Sequence, residues 1–226
     1  MIRNYRDFIE ALTDAGFSGA VGGSDDGVFA LFRYGWGADA ETGIVWHTGD
    51  PDHDPWEWRM RVLDERDDIS YGKVFFGKAG YITKEWAPFF LAARREGRSF
   101  NDIYADGTVS YAAKRVYGAV AKRGALPLQE IKREAGFSRE EKPAFDRALT
   151  ELQGKLFLTM CGQEHQYGGS GWSSTVFCTT ETFWGGSVFG QAEQIRPEDA
   201  FERIRAQILR LNPNAPEKKM TKFILG

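Results

Sequence analysis

The sequence predicts an α+β protein built around a central winged helix-turn-helix, with an N-terminal α/β region before it and a C-terminal helix after it. Three observations support this. Helix, short helix, helix and hairpin follow one another between Asp106 and Phe183, helical periodicity is strong at both ends of the chain, and glycines break the first third into short apolar runs. The expected division is an N-terminal α+β region at 1–105, in which a further winged-helix-like unit is possible, the winged helix at 106–183, and a helical extension at 184–226.

The elements follow in order. Tyr5, Phe8, Ile9 and Leu12 fall at helical spacing, and Gly16 closes that helix before Phe17. Val28 to Phe32 and Gly43 to His47 read as short strands. Asp54 stands as N-cap to a helix that starts at Pro55 and runs towards Arg66. Ile69 to Phe76 and Ala79 to Ile82 predict strands about a turn at Gly77-Lys78, and Thr83 is expected to cap a helix through Trp86, Phe89, Phe90 and Leu91 to Arg95.

In the centre, Ser110 to Lys122 places Ala113, Val116, Tyr117 and Val120 on one helix face and stops at Gly124. A short helix then carries Pro127 in its first turn, with Leu128, Ile131 and Ala135 facing inward. Ser138 and Glu141 have capping-box spacing ahead of a third helix striped by Phe145, Ala148, Leu149 and Leu152. Two strands, Leu156 to Met160 and Thr175 to Thr179, flank the polar, glycine-rich stretch from Gly162 to Ser174. Pro197 to Leu211 forms the last long helix, and a tail helix through Met220, Phe223 and Leu225 docks on the body.

Composition narrows the function classes. No run of about 18 apolar residues and no signal-peptide core is present, so a cytoplasmic protein without membrane contact is expected. Cys161 and Cys178 have no CxxC spacing, which argues for buried thiols rather than a disulfide framework or a zinc ribbon. The net charge of −3 is uneven: residues 1–83 hold 8 Lys/Arg against 15 Asp/Glu, and residues 84–155 hold 14 against 10. A phosphate-binding surface belongs in that basic middle, although the acidic pI near 5.7 argues against unaided coating of DNA.

Two segments carry candidate chemistry. The third central helix would be the recognition helix. Lys132, Arg133, Arg139, Lys142, Arg147 and Lys155 are the candidate phosphate contacts, and His165, Tyr167 and Trp172 on the hairpin are the candidate groove or base contacts. A solvated helix face is the competing reading of the same charges, because Glu140, Glu141, Asp146 and Glu151 offset them. The segment His47 to Arg59 gathers two histidines, four carboxylates and two tryptophans, with Asp50, Glu57 and Arg59 the candidates to face a ligand or act as catalytic groups. Its structural reading is a turn at Asp50-Pro51 and a capping box between Asp54 and Glu57. The spacing matches no metal motif, the glycine tracts match no phosphate loop, and so no metal and no cofactor is expected.

On His47-Thr48-Gly49-Asp50-Pro51, Asp54-Pro55-Trp56-Glu57-Trp58-Arg59, Tyr71-Gly72-Lys73, Lys78-Ala79-Gly80-Tyr81-Ile82, Ile131-Lys132 to Ala135-Gly136-Phe137 and Leu152-Gln153, the chain resembles the small AlkZ-related proteins over most of its length. These are relatives of bacterial DNA glycosylases that use tandem winged helices to release alkylated or crosslinked bases. The resemblance implies a winged-helix fold and a link to double-stranded or damaged DNA. The glycosylases' Gln-x-Gln or Gln-x-Asp motif is absent at every glutamine from Gln129 to Gln207, so no catalytic residue is carried over. The leading expectation is a nucleic-acid-binding winged-helix protein linked to DNA damage. A base-excision enzyme and a protein-interaction scaffold without DNA binding stand as alternatives, the last suggested by the acidic N-terminal third.

Overall fold

The computed structural model describes residues 1–19, 28–32, 41–165 and 173–226. Its elements are α1 (Tyr5–Ala15), β1 (Phe17–Ser18), α2 (Pro55–Glu65), β2 (Ile69–Phe75), β3 (Lys78–Thr83), α3 (Ala87–Arg95), α4 (Phe100–Ala105), α5 (Tyr111–Arg123), β4 (Ala125–Pro127), α6 (Leu128–Glu134), α7 (Lys142–Gly154), β5 (Leu158–His165), β6 (Ser173–Thr179), α8 (Thr180–Trp184), α9 (Gly186–Glu193), α10 (Pro197–Leu211) and α11 (Glu217–Leu225). The mixture is α+β. No described helix is long and apolar enough to cross a membrane.

The strands form one antiparallel sheet in the order β1-β3-β2-β5-β6-β4. That order is close to a mirror of itself about the β2–β5 seam. On either side a hairpin lies inside and a short strand lies at the edge. Each edge strand follows a long helix that ends at a glycine with φ of 84°, Gly16 after α1 and Gly124 after α5. Gly16 is fixed twice over, because a Cβ there would also stand 2.1 Å from Trp86 Nε1.

The helix that leads into each hairpin packs across the seam as well as on its own unit: α2 touches β5, and α7 touches β2. Phe8, Leu12, Trp58, Val62, Ile69 and Tyr81 fill the N-terminal core, while Val116, Ile131, Phe145, Leu152, Phe157 and Phe177 fill the central one. A third cluster, including Phe75, Phe90, Ile204 and Phe223, seats α3, α10 and α11.

Two side chains lock this arrangement. Gln153, 1% exposed, donates to Leu149 O and accepts from Lys73 N (2.9 Å), where β2 slips register between Gly72 and Phe75. The amide freed by the irregularity is therefore satisfied from the other unit. Arg94 donates to the carbonyls of Val74, Gly154, Phe223 and Ile224, all at 2.7 Å. Burial lowers its pKa to about 9, which leaves it charged at neutral pH, where the cation suits the C-terminal ends of α7 and α11.

Several expectations change. Val28 to Phe32 is irregular, tied by the single bonds Gly19 N to Phe29 O and Leu31 N to Ser18 Oγ and not by a ladder. Gly43 to His47 is also not a strand; Val45 makes an isolated bridge, with its N–H on His53 O. Thr83 does not cap α3: it ends β3, and its hydroxyl donates to Gly16 O. Leu225 is 47% exposed, and Ile224 takes its place in the core. The central strands reach to His165 and back from Ser173, and Cys161 and Cys178 on them are free thiols.

Candidate nucleic-acid interface

The central unit positions its outer helix through Arg115. As the fifth residue of α5, it turns its guanidinium towards the connection between α6 and α7. There it donates to Ala135 O (2.9 Å), Gly136 O (2.6 Å) and Glu141 Oε1 (2.8 Å) and stacks 3.8 Å from the Phe137 ring centroid. Gly136, at φ 68°, supplies the backbone turn. Arg115 looks like one more surface cation in the sequence, since its partners lie 20 to 26 residues away.

The capping-box bonds form, with Ser138 N on Glu141 Oε2 (2.8 Å) and Glu141 N on Ser138 Oγ (3.4 Å), but they close a turn ahead of the helix. The helix itself begins at Lys142. The hydrogen bond and charge of Arg115 hold the Glu141 carboxyl below its usual range, helped by the Ser138 amide. Arg139 therefore lies on the turn and not on α7.

The nine expected nucleic-acid contacts separate into groups. Arg133 is engaged by Glu130 (3.0 Å), and Lys142 by Asp146. Arg139 and Arg147 are exposed and have no carboxylate within ion-pair distance among the described residues. Lys132 and Lys155 are half-buried, likewise without an ion-pair partner among them. His165 closes the hairpin ladder opposite Ser173 through its backbone. Tyr167 and Trp172 lie outside the described residues.

The segment His47 to Arg59 is organised by Asp54, which is 0% exposed. Its carboxylate accepts from Thr48 N (2.7 Å), Gly49 N (3.0 Å) and Trp56 N (2.8 Å). Burial acts to raise its pKa, but these donors and the His47 amide outweigh it and hold the carboxyl below the usual range. The expected capping box with Glu57 does not form. The Asp54 N–H that Glu57 would have to reach is already bonded to Asp50 O (3.0 Å).

Asp50, Glu57 and Arg59 are not brought together. Asp50 meets His53 Nδ1 at 3.0 Å and accepts from Asp52 N; those two bonds hold its carboxyl below the usual range. The pair faces an open cavity of about 510 Å³ that Arg3, Asn4 and Thr48 also line, and Glu57 and Arg59 do not. Arg59 instead lies 3.3 Å over Trp56, itself 43% exposed, and donates to Trp56 O. His53 is the functional candidate that the sequence reading passed over, although its i,i+3 spacing from Asp50 was visible.

A family model described as AlkZ related matches residues 2–225. No curated protein matches the chain. Among solved structures, the chain is similar to the Streptomyces sahachiroi DNA glycosylase AlkZ at 15% identity and a TM-score of 0.42. The match covers 77% of this chain and 51% of that one, so the chain spans about half of that protein's length.

Proposed function

The chain belongs to the AlkZ-related family, and from that premise we propose that it is a nucleic-acid-binding protein linked to DNA damage, with residues 106–183 acting as a winged helix on double-stranded or damaged DNA. Residues 1–105 supply a second unit of related plan, and 184–226 a helical extension that braces both. The observation that carries the reading is the pair Arg139 and Arg147. They are the exposed cations at the start and along the outer face of α7 that no carboxylate neutralises among the described residues. On this reading Lys132 and Lys155 add further phosphate contacts, while Arg133 and Lys142 must first release Glu130 and Asp146. In the same reading His165, Tyr167 and Trp172 supply the groove or base contacts of the wing.

Salt dependence is the test. Each phosphate contact contributes about −0.9 to the slope of log affinity against log salt. Replacing Arg139 and Arg147 together by Ala should flatten the slope for duplex DNA by one to two units, on the order of one contact each. An unchanged slope, or binding indifferent to salt, would sink the assignment. A protein-interaction scaffold predicts no duplex binding at any salt concentration, which would sink the assignment as well.

Base excision is the second reading, favoured by the Asp50–His53 pair. An ionised Asp50 fixes the proton on Nδ1 and leaves Nε2 open to take a proton from water in the cavity. Incubation with alkylated and crosslinked duplexes, followed by detection of abasic sites, decides it. Asp50→Asn and His53→Gln should each remove any release that wild type shows.

A further inference from the structure

Cys161 and Cys178, the chain's two cysteines, stand on the two strands of the β5–β6 hairpin. Cys178 lies directly opposite Thr159, and Thr159 shares its strand face with Cys161, which makes the two cysteines diagonal neighbours. In a regular ladder such neighbours are about 7–8 Å apart, beyond the roughly 4.4–6.8 Å that a disulfide spans between Cα atoms. This ladder is not regular. Met160 pairs with Phe177 and Gly162 with Val176, so Cys161 is the extra residue of a bulge and has no partner on β6. Gly162, at φ 143°, carries the backbone through it. The bulge brings the Cys161 sulfur within reach of Cys178, whose thiol donates to it.

The two thiols differ in the way that oxidation requires. Cys178 is 2% exposed, whereas Cys161 is only half-buried. The hydrogen bond from Cys178 lowers the pKa of Cys161 and raises that of Cys178, which burial and the charges of Cys161 and Glu181 raise further. A thiolate is the nucleophile in thiol oxidation, so the sulfur with solvent access is also the readier one to react. Among the described residues no third ligand joins the pair to make a metal site.

We propose that Cys161 and Cys178 form a modification site, which a hydroperoxide oxidises to a reversible disulfide beside the Tyr71–Met160 pair that joins the two units. The Cys161 thiolate attacks one peroxide oxygen. The S–O bond forms and the O–O bond breaks, and with hydrogen peroxide the departing hydroxide takes up the proton that Cys161 released and leaves as water. The Cys178 sulfur then attacks the sulfenic acid. The S–S bond forms, the S–O bond breaks, and the second hydroxide leaves with the Cys178 proton as water. Two thiols are oxidised by two electrons, and one peroxide is reduced to two waters. The bond fastens the bulge of β5 to β6, and its formation does not depend on nucleic acid.

Treating the reduced full chain with a small excess of hydrogen peroxide tests it, with thiols counted by N-ethylmaleimide in denaturant and the intact mass recorded. The reduced chain should take two labels. The treated chain should take none, should lose the mass of two hydrogen atoms, and should recover both thiols in dithiothreitol. Disulfide formation should be about 10-fold faster in the folded chain than in urea, because only the fold lowers the pKa of Cys161 and holds the sulfurs together. In Cys178→Ala the reaction should stop at the Cys161 sulfenic acid, trapped by dimedone, and in Cys161→Ala the remaining thiol should keep its label. Two surviving labels in treated wild type, a disulfide between chains, a gain of oxygen mass in place of the loss of hydrogen, or an equal rate in urea each overturns the proposal. So does a dimedone adduct that forms in Cys161→Ala and not in Cys178→Ala.

Discussion

The two units that meet at the β2–β5 seam share a plan and differ in how they start the helix before the hairpin. In the N-terminal unit α2 starts from one buried carboxylate, Asp54, which gathers the amides of Thr48, Gly49 and Trp56. In the central unit α7 starts beyond an exposed turn, where Ser138 and Glu141 satisfy each other and Arg115 braces the whole from α5. The first solution commits its polar groups to the fold and buries them. The second leaves the outer side of the turn and helix free, and that is where Arg139 and Arg147 stand. Under the proposed function, one half would then be the brace and the other half the working face.

The most damaging way to break this contrast is at Asp54. Asp54→Ala strands three amides in a buried turn and should cost about 3 kcal/mol or more, the sum of a lost cap and unsatisfied donors. Urea unfolding measures it; a loss below about 1 kcal/mol would mean that water replaces the carboxylate. The pH dependence has a definite sign. The folded pKa of Asp54 lies below its unfolded value of roughly 3.9. Its contribution is therefore fully present above that unfolded value and is lost as pH falls through the folded pKa. The stability gap between wild type and Asp54→Asn should shrink in acid and stay constant above about pH 6.

A smaller effect tests the seam that both units share. Gln153→Leu keeps the apolar bulk but leaves Lys73 N–H without its acceptor, at an expected cost of about 2 kcal/mol. Hydrogen exchange should locate the damage, with the Lys73 amide losing protection before its neighbours in β2. Equal protection in the variant would show that the sheet irregularity is stable without the glutamine.

What could be read in the sequence was the local part of this. Gly16, Asp54, Ser110 and the bounds of Pro197–Leu211 are fixed by residues within a few positions of the helix ends, and the structure places them there. The short helices α4, α8 and α9 were missed, because five to eight residues carry too little periodicity and Gly185, Gly186 and Gly190 look like loop residues. Thr83 misled for another reason. A threonine ahead of a helix can equally be the last residue of a strand, and its hydroxyl partner, Gly16, is 67 positions away. The seam itself rests on the pair Tyr71 and Met160, which no local pattern announces. The same limit hid the role of Arg115 and joined Glu57 and Arg59 to a cavity that, of the three candidates, Asp50 alone lines.

The smallest expected effect separates the two helix starts most sharply, because Asp54/Glu57 and Ser138/Glu141 have the same spacing. At Ser138 the carboxylate of Glu141 takes the cap residue's own N–H, and a glutamine can make the same reach whereas an alanine cannot. Glu141→Gln should therefore be the milder and Glu141→Ala the harsher change. At Asp54 the corresponding N–H is held by Asp50 O, so Glu57 has nothing to reach back to and contributes only its charge near the start of α2. Glu57→Gln and Glu57→Ala should then be equally mild, each within about 0.5 kcal/mol of wild type, the scale of an exposed charge at a helix N-terminus. A clear difference between the two at Glu57 would mean that a capping box forms there after all and that the Asp50 bond is not kept in solution. If excision of damaged bases is observed and Glu57→Gln lowers it by about 100-fold with the melting midpoint unchanged, Glu57 acts as a base in its own right. The contrast between a bracing unit and a working unit would then have to be abandoned.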